Sequence, residues 1–404
     1  MRGAEVMNQT CDILISGGGI AGLTAAAGFA ARGFSVICVD PTAPVTTRED
    51  AGADLRTTAF LQPAKSLLEE AGLWSRFAPH AAPLQIMRII DAGGADPEPR
   101  VVREFNAAEI SELPFGWNLP NWLLRREMLG RIAELANAEF RPGVGTQSLF
   151  TRTNEARVTL TDGSRVHCKL VLACDGRASP MREAAGIDVQ TTRYGQKALA
   201  FAVTHDTPHE NVSTEIHRTG GPFTLVPLPD LEGRPSSAIV WMETSANADR
   251  LAALDEVDFE AEMNIRSCGV LGQLSLASRR TLWPIISQRA SRLVGERLAL
   301  MAEAAHVVPP IGAQGLNMSL ADLRVLMDLA DARPEGLGDQ AMLNAYEKAR
   351  HSDIKLRVSG IDLLNRASMM EARPLRDLRA GGLNALYSLP QVRKMLMQMG
   401  LGVR

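Results

Sequence analysis

The sequence predicts an α/β protein organised around a doubly wound, Rossmann-like unit, and three observations carry that prediction. A short apolar run at 12–16 (DILIS) leads through Gly17-Gly18-Gly19-Ile20-Ala21-Gly22 into an alanine-rich helical stretch that ends near Arg32. A second β-branched run, SVICVD, follows at 35–40 and completes a βαβ unit. A third strand, in VHCKLVLACDG, closes on Asp175-Gly176, the kind of strand end at which α/β sheets open a ligand crevice.

The chain has 404 residues, a length that suggests two or three domains and a large buried core. Hydrophobic residues make up 46% and charged residues 22%, which is globular composition and argues against disorder. Lys+Arg 43 nearly balances Asp+Glu 46, so there is no basic excess for a nucleic-acid partner. Five cysteines, at 11, 38, 168, 174 and 268, include no CxxC pair, and the expectation is a reduced cytoplasmic protein without disulfides or a metal site. Ile13–Ala31 is about as long as a membrane span, but it holds four glycines near its start and has no basic segment before it. A strand turning into a helix accounts for it better than a span or a signal peptide. Further along, the patterning predicts a helix around 61–73, strands over 84–105 and 197–243, a helix over 339–367, and a Pro/Gly-punctuated helical tail to Arg404.

The glycine motif carries specific chemistry. Gly17 permits the tight turn, Gly19 lets the backbone approach a pyrophosphate, and Gly22 lets the helix pack close to the strand. The helix N-terminus then offers free N–H groups to phosphate. Asp40 ends the second strand 18 residues past Gly22 (40 − 22), where a carboxylate can accept hydrogen bonds from a ribose. These features predict dinucleotide binding without distinguishing FAD from NAD.

Four further segments make that distinction. The first is Asp54-Leu55-Arg56-Thr57-Thr58-Ala59, followed by a helix ending in Ala71-Gly72-Leu73-Trp74. The second is Cys174-Asp175-Gly176-Arg177-Ala178-Ser179-Pro180. The third joins Tyr194-Gly195-Gln196, Gly221 to Pro229 and Ile239-Val240-Trp241. The fourth is Glu303-Ala304-Ala305-His306, continuing through Pro309-Pro310-Ile311-Gly312-Ala313-Gln314-Gly315-Leu316-Asn317. In this order they resemble the flavin-dependent hydroxylases of ubiquinone biosynthesis, a branch of the para-hydroxybenzoate-hydroxylase-like FAD monooxygenases.

The resemblance implies a discontinuous FAD-binding domain (10–80, 101–190 and 286–340), an inserted β-sheet substrate domain (81–100 and 191–285) and C-terminal helices (341–404). It places Gly17, Gly19, Gly22, Asp40, Arg56, Asp175 and Gly176 at the cofactor, together with Glu303, Pro310, Gly312, Gly315, Leu316 and Asn317. Arg125, preferred over Arg126 at the start of a helical segment, joins them. Three positions depart from the family pattern: Ala302-Glu303 replaces Gly-Asp, Gly312-Ala313 replaces Ala-Gly, and Ser319 replaces a later Gly. An alanine at 313 puts a Cβ where the family backbone needs positive φ, unless Gly312 takes that role. His306 is expected to pack or hydrogen-bond locally, and no side chain is assigned to catalysis.

The activity implied is O2-dependent ring hydroxylation through a C4a-hydroperoxyflavin, on a prenylated phenol or quinone precursor. NAD(P)H or a reductase partner would supply electrons. Two other readings stay open: an FAD monooxygenase of another, soluble phenol, and a non-catalytic flavin- or quinone-binding accessory protein. From Arg373 onward, Arg373, Arg376, Arg379, Arg393, Lys394 and Arg404 face a single acid, Asp377. This basic tail is expected to touch either the inner face of an anionic membrane, a partner subunit or the protein's own core.

Overall fold

Strand β1 (Asn8–Ser16) is buried from Ile13 to Ser16, as an unbroken apolar run between two parallel neighbours must be. It feeds α1 (Ile20–Ala31), which returns the chain to β2 (Val36–Asp40). The structure is a computed structural model that describes residues 8–94, 98–369, 387 and 390–401. Next come β3 (Thr57–Leu61), α2 (Gln62–Glu70), α3 (Trp74–Phe77), β4 (Ala82–Leu84), β5 (Ile86–Asp91), β6 (Val101–Asn106), β7 (Gly116–Pro120) and α4 (Asn121–Ala133). Strands β8 (Ala138–Pro142), β9 (Thr146–Thr151), β10 (Ala156–Leu160) and β11 (Arg165–Ala173) follow, closed by the short α5 (Pro180–Ala184). Four long strands, β12 (Val189–His205), β13 (Val212–His217), β14 (Pro222–Leu231) and β15 (Arg234–Thr244), precede α6 (Ser245–Ala253) and α7 (Glu256–Arg266). The chain continues through β16 (Leu274–Leu276), β17 (Thr281–Ala290), β18 (Val294–Gly295), β19 (Leu298–Leu300) and β20 (His306–Val307). Three helices end it: α8 (Gln314–Ala332), α9 (Gln340–Ser368) and α10 (Pro390–Leu401).

The first sheet runs β18-β19-β11-β1-β2-β8, with β10 and β9 added beside β11. Strand β1 is parallel to both β11 and β2, and Ser16 lies across from Ala173 on one side and Val39 on the other. Three strand C-termini therefore end level, and the glycine turn, Asp40 and Asp175 all sit at that edge. Helix α1 is buried from Ala21 through Ala30, and its alanines let the sheet, α4 and α8 pack closely against it. A Cβ on Gly28 would meet Met327 of α8 at 2.9 Å.

The second sheet, β20-β17-β12-β15-β14-β13-β5-β6, is antiparallel except where β13 meets β5. Its sequence alternation divides its two faces. Leu199, Phe201 and Val203 of β12 join the cluster under α6 and α7, with Phe259 and Met263. The intervening Ala198 and Ala202 belong to two small separate clusters on the opposite face. A third sheet, β3-β7-β4, is tied to the second by Asn118, whose side-chain amide donates to the Pro227 carbonyl at 3.0 Å.

Two expected boundaries shift. Residues 101–106, expected with the nucleotide-binding segments, form β6 and pair with β5 from Ile86↔Asn106 to Asp91↔Val101. A boundary at 286 would cut β17, which runs unbroken from Thr281 to Ala290 in the second sheet. In both, long-range pairing overrides the local sequence cue. The expected C-terminal helical segment begins with α9, whose Met342, Leu343, Tyr346, Ile354 and Ile361 belong to the main core.

Of the basic tail, Arg373, Arg376, Arg379 and Arg404 lie outside the described residues. Arg393 turns inward, donating to Glu109 at 2.6 Å and lying over the Tyr387 ring at 4.8 Å. Among the described residues, no helix is long and apolar enough to cross a membrane.

Gly22 sits where a Cβ would fall 1.9 Å from the Gly17 carbonyl oxygen, so neither the turn nor the helix can accept a side chain there. Gly22→Ala is expected to destabilise the fold by about 1–3 kcal/mol, measured by urea denaturation. An unchanged midpoint would refute this close approach.

Candidate active site

The glycine turn is built by backbone geometry. Gly17 adopts φ +104°, and its N–H donates to the Val39 carbonyl at 2.8 Å. A Cβ there would strike the Cys174 carbonyl at 2.4 Å, so the turn also presses against the end of β11. Gly18 N–H donates to Asp40 Oδ2 at 2.7 Å, and Thr42 N–H donates to Oδ1 at 2.8 Å. Asp40 thus stands at the cradle with both oxygens already ordered by the backbone. Gly19 precedes α1 in an extended conformation, with nothing within 4 Å of a Cβ built on it and no side-chain cap on the helix. This leaves an open approach to uncapped N–H groups.

Beside the cradle, Asp175 Oδ2 accepts from the Ser16 hydroxyl and the Met181 N–H, each at 3.2 Å. Its Oδ1 is buried without a partner among the described residues, and burial pushes this carboxyl above its ordinary value. Gly176 follows with φ +83°. Across the site, Arg56 makes a bidentate contact with Asp54 at 2.8 Å through both Nε and Nη2, and lies over the Trp283 ring at 5.5 Å. Arg125 reaches the same Asp54 at 3.4 Å, and Asn121 donates to it at 3.1 Å. Burial pushes the Asp54 carboxyl up, but the Arg56 and Asn121 hydrogen bonds and the Arg125 charge outweigh it and hold the group below its ordinary value. Arg126 instead pairs with Glu127 and lies over Trp122. Asp54 is thus the anchor of both predicted arginines; the D-x-R spacing contained it, although it was not among the expected site residues.

Glu303 is half exposed and lies 3.6 Å from Arg177. The residue before it, Ala302, has φ +55°, so the alanine occupies a left-handed position where the family pattern has glycine. The second departure behaves the same way: Gly312 and Ala313 both have positive φ, 62° and 56°, and Ala313 precedes α8 without any side-chain cap. Pro310 is exposed at the head of this loop, while Leu316 packs against the main core. Gly315 has room around it, with only Val308 at 3.8 Å from a built Cβ. Asn317 uses its whole carboxamide on backbone: Leu61 N–H donates to it at 2.9 Å, and it donates to Ala59 and Ala313 carbonyls at 2.8 and 2.7 Å. It therefore pins the start of α8 to β3 and holds Ala313 in its strained conformation.

His306 hydrogen-bonds locally, as expected. Its Nε2 meets Asp322 Oδ2 at 2.6 Å, and Arg350 donates to Asp322 Oδ1 at 2.7 Å, all three being buried. Above the α8 loop, Ile311 packs with Ala198, Met242 and Ile285, and Tyr194, Val240 and Trp283 border that cluster. The Tyr194 hydroxyl donates to Asp362 of α9 at 2.6 Å, with Arg366 over the ring at 5.8 Å. Burial and the Asp362 hydrogen bond push this phenol up to about 12. Asp362 lies too far along the chain for any spacing rule to have paired it with Tyr194. Two adjoining cavities of about 480 and 300 Å³ share Ser278 and Arg279, and the smaller is also lined by Arg48, Glu49 and Leu55 of the segment that carries Asp54 and Arg56.

Open space over Gly19, uncapped starts to α1 and α8, and the orphaned Asp175 Oδ1 fit a large phosphate- and hydroxyl-bearing cofactor. Gly19→Trp is expected to abolish flavin absorbance while leaving the melting temperature of the FAD-free protein nearly unchanged, the opposite of the Gly22 result. Normal FAD content in that variant would place the phosphates elsewhere. Ala302→Gly and Ala313→Gly should each stabilise the protein by roughly 0.5–1 kcal/mol in urea titrations, because they relieve left-handed strain.

The sequence profile described as FAD binding domain matches residues 10–359. A ubiquinone hydroxylase, UbiL, of Rhodospirillum rubrum is 32% identical over 98% of this chain and 90% of its own length. The 3-demethoxyubiquinol 3-hydroxylase of Escherichia coli is 26% identical over 98% of this chain and its full length. Among solved structures, p-nitrophenol 4-monooxygenase PnpA of Pseudomonas putida superimposes with a TM-score of 0.78 at 17% identity, covering 98% of this chain and 99% of its own. PqsL of P. aeruginosa, in complex with 2-aminobenzoylacetate, gives 0.77 at 21% identity, over 93% of this chain and all of its own. These structures share the fold. By profile and by sequence, the chain belongs to the FAD-binding-domain family, in the branch of flavin-dependent hydroxylases that contains the ubiquinone hydroxylases.

Proposed function

We propose that this FAD-dependent hydroxylase inserts one oxygen atom into the ring of a prenylated phenol in ubiquinone biosynthesis. The observation that carries the reading is the Tyr194–Asp362 pair beside Ile311, on the face of the second sheet that turns away from α6 and α7. Bound FAD supplies O2 activation and oxygen transfer. Gly17, Gly19 and Gly22 would shape its phosphate cradle, with Asp40 at a ribose. Asp175, Gly176 and Glu303 would serve its hydroxyl-bearing chain, while Arg56 and Arg125 supply positive charge from across the site. Pro310, Gly312, Gly315 and Leu316 would border the reactive ring, on a loop whose shape Asn317 fixes. The uncapped start of α8 presents N–H dipoles toward negative charge there.

Tyr194 gives the ring hydroxyl of a substrate a partner. Arg366 holds the Asp362 carboxyl below its ordinary value, so it stays ionised and accepts the Tyr194 hydrogen bond, the proton remaining on Tyr194. The Tyr194 oxygen is left to accept from the substrate hydroxyl, with Ser287 beside it. That acceptor raises electron density in the ring to be attacked. Ala198, Met242 and Ile285 keep the surroundings apolar, which disfavours water. The apolar substrate would be met at the inner face of a membrane, and the electron donor would be NAD(P)H or a reductase partner.

The test is hydroxylation of a short-chain prenylated phenol by purified FAD-loaded protein, supplied with O2 and either NADH, NADPH or a chemical reductant. Tyr194→Phe should lower product formation about 10- to 100-fold while FAD binding persists. Because the phenol lies near 12, Tyr194 stays protonated below pH ~10 and should add no inflection to the wild-type profile in that range. Equal product from the variant would remove Tyr194 from the reaction.

A further inference from the structure

Helix α9 has two working faces. Its inner side carries Ile354 and Ile361 in the core, Asp362 on Tyr194, and Asn365, which donates to Gln196 at 2.9 Å. Its outer side carries Leu356, Leu363 and Leu364, which are 69%, 69% and 58% exposed. At 3.6 residues per turn these leucines fall within roughly 100° of the helix circumference, on the side away from Ile354, Ile361 and Asn365. Gly360 and Ala367 lie within the same arc. No other helix among the described residues exposes three large apolar side chains. A stripe of this kind on a water-soluble surface costs solvation and marks a contact.

Charge identifies the contact. Lys348, Lys355 and Arg366 project along one flank of the stripe and all are exposed. The chain has only six lysines, so two of them on one helix flank is a marked concentration. The acid nearest that flank, Asp362, is taken by Arg366 at 2.9 Å and by Tyr194. Helix α10 adds exposed Lys394 and Met395, and it is joined to α9 through Gln314, which donates to the Gly400 carbonyl and accepts from Arg357. In an antiparallel pair of α9 helices about a two-fold, the cation row would face its own copy, which disfavours a second copy as the occupant.

We propose that the outer face of α9 docks on an anionic lipid bilayer, with Leu356, Leu363 and Leu364 entering the interface and Lys348, Lys355 and Arg366 at the headgroups. This rests on the reading of the substrate as a prenylated, membrane-dissolved phenol. It deepens that reading by naming the surface: the lipid and Tyr194 stand on opposite sides of a single helix about 10 Å thick. Leucines bury into the acyl boundary, while the long cationic side chains reach back to phosphate. The membrane contact, one of three readings of the basic tail, is thereby assigned to a helix anchored in the core.

The experiment is flotation of the full-length, FAD-loaded protein with vesicles of phosphatidylethanolamine and phosphatidylglycerol, beside vesicles of phosphatidylcholine alone. The wild type should float with the anionic vesicles, and L363E/L364E should reduce the vesicle-bound fraction by about tenfold or more. K355E should weaken binding to anionic vesicles only. Both variants should keep wild-type melting temperature, FAD content and turnover of a short-chain phenol in solution. Failure of the wild type to float, or equal flotation of L363E/L364E, overturns the proposal. A halving of mass in L363E/L364E by light scattering, without wild-type flotation, also overturns it and assigns the stripe to a second copy; release of a co-purifying carrier protein, again without flotation, assigns it to that carrier. If the protein floats as expected but hydroxylates no phenol, the docking surface stands and the reading of the reaction fails.

Discussion

Helix α1 begins so close to the strand that feeds it that the carbonyl of Gly17 occupies the space a side chain at position 22 would need. That contact sets where the helix starts and therefore where its free N–H groups point. The same turn is wedged against the Cys174 carbonyl, which brings Asp175 beside it, and Gly18 binds Asp40. The level ends of β1, β2 and β11 follow from one register, Ser16 with Val39 and with Ala173. Replace hydrogen with methyl at position 22 and each of these placements must move.

The opposite wall is held by polar contacts. Asn317 spends every hydrogen-bonding atom of its side chain on β3 and on the Ala313 carbonyl, and so fixes a loop whose Ala313 is intrinsically unfavourable. Beneath it, His306, Asp322 and Arg350 join the segment before the loop to α8 and α9. A buried carboxylate with two cationic-capable partners is costly to break and specifies one arrangement. Asp54 does the equivalent at the surface of the site, collecting Arg56 and Arg125 from different segments.

Much of this was legible in the sequence because it was local. The βαβ unit, the glycine spacing, Asp40 and the strand ending at Asp175 are read from short windows, and the structure places them together. The departure at Ala313 was also readable as a backbone question, and the residue answers it by adopting left-handed φ; Ala302 does the same, which the sequence had not raised. What escaped was long-range. Residues 101–106 look like any strand, and only their hairpin with β5 puts them in the second sheet. The Tyr194–Asp362 bond spans 168 residues, and the leucine stripe of α9 is intelligible only once Ile354 and Ile361 are known to face inward. A basic tail was visible in composition, whereas the inward turn of Arg393 toward Glu109 was not.

The claim that joins cradle, Tyr194 and substrate is that this protein adds one oxygen to a prenylated ring. It is tested most directly by a mass-spectrometric profile of quinone lipids from cells lacking the gene, beside the parent strain. The account predicts loss of the mature quinone and accumulation of a prenylated precursor short of one oxygen, restored by the wild-type gene. An unchanged profile, in a strain with no second hydroxylase to compensate, would contradict it and leave a flavin hydroxylase of some other phenol.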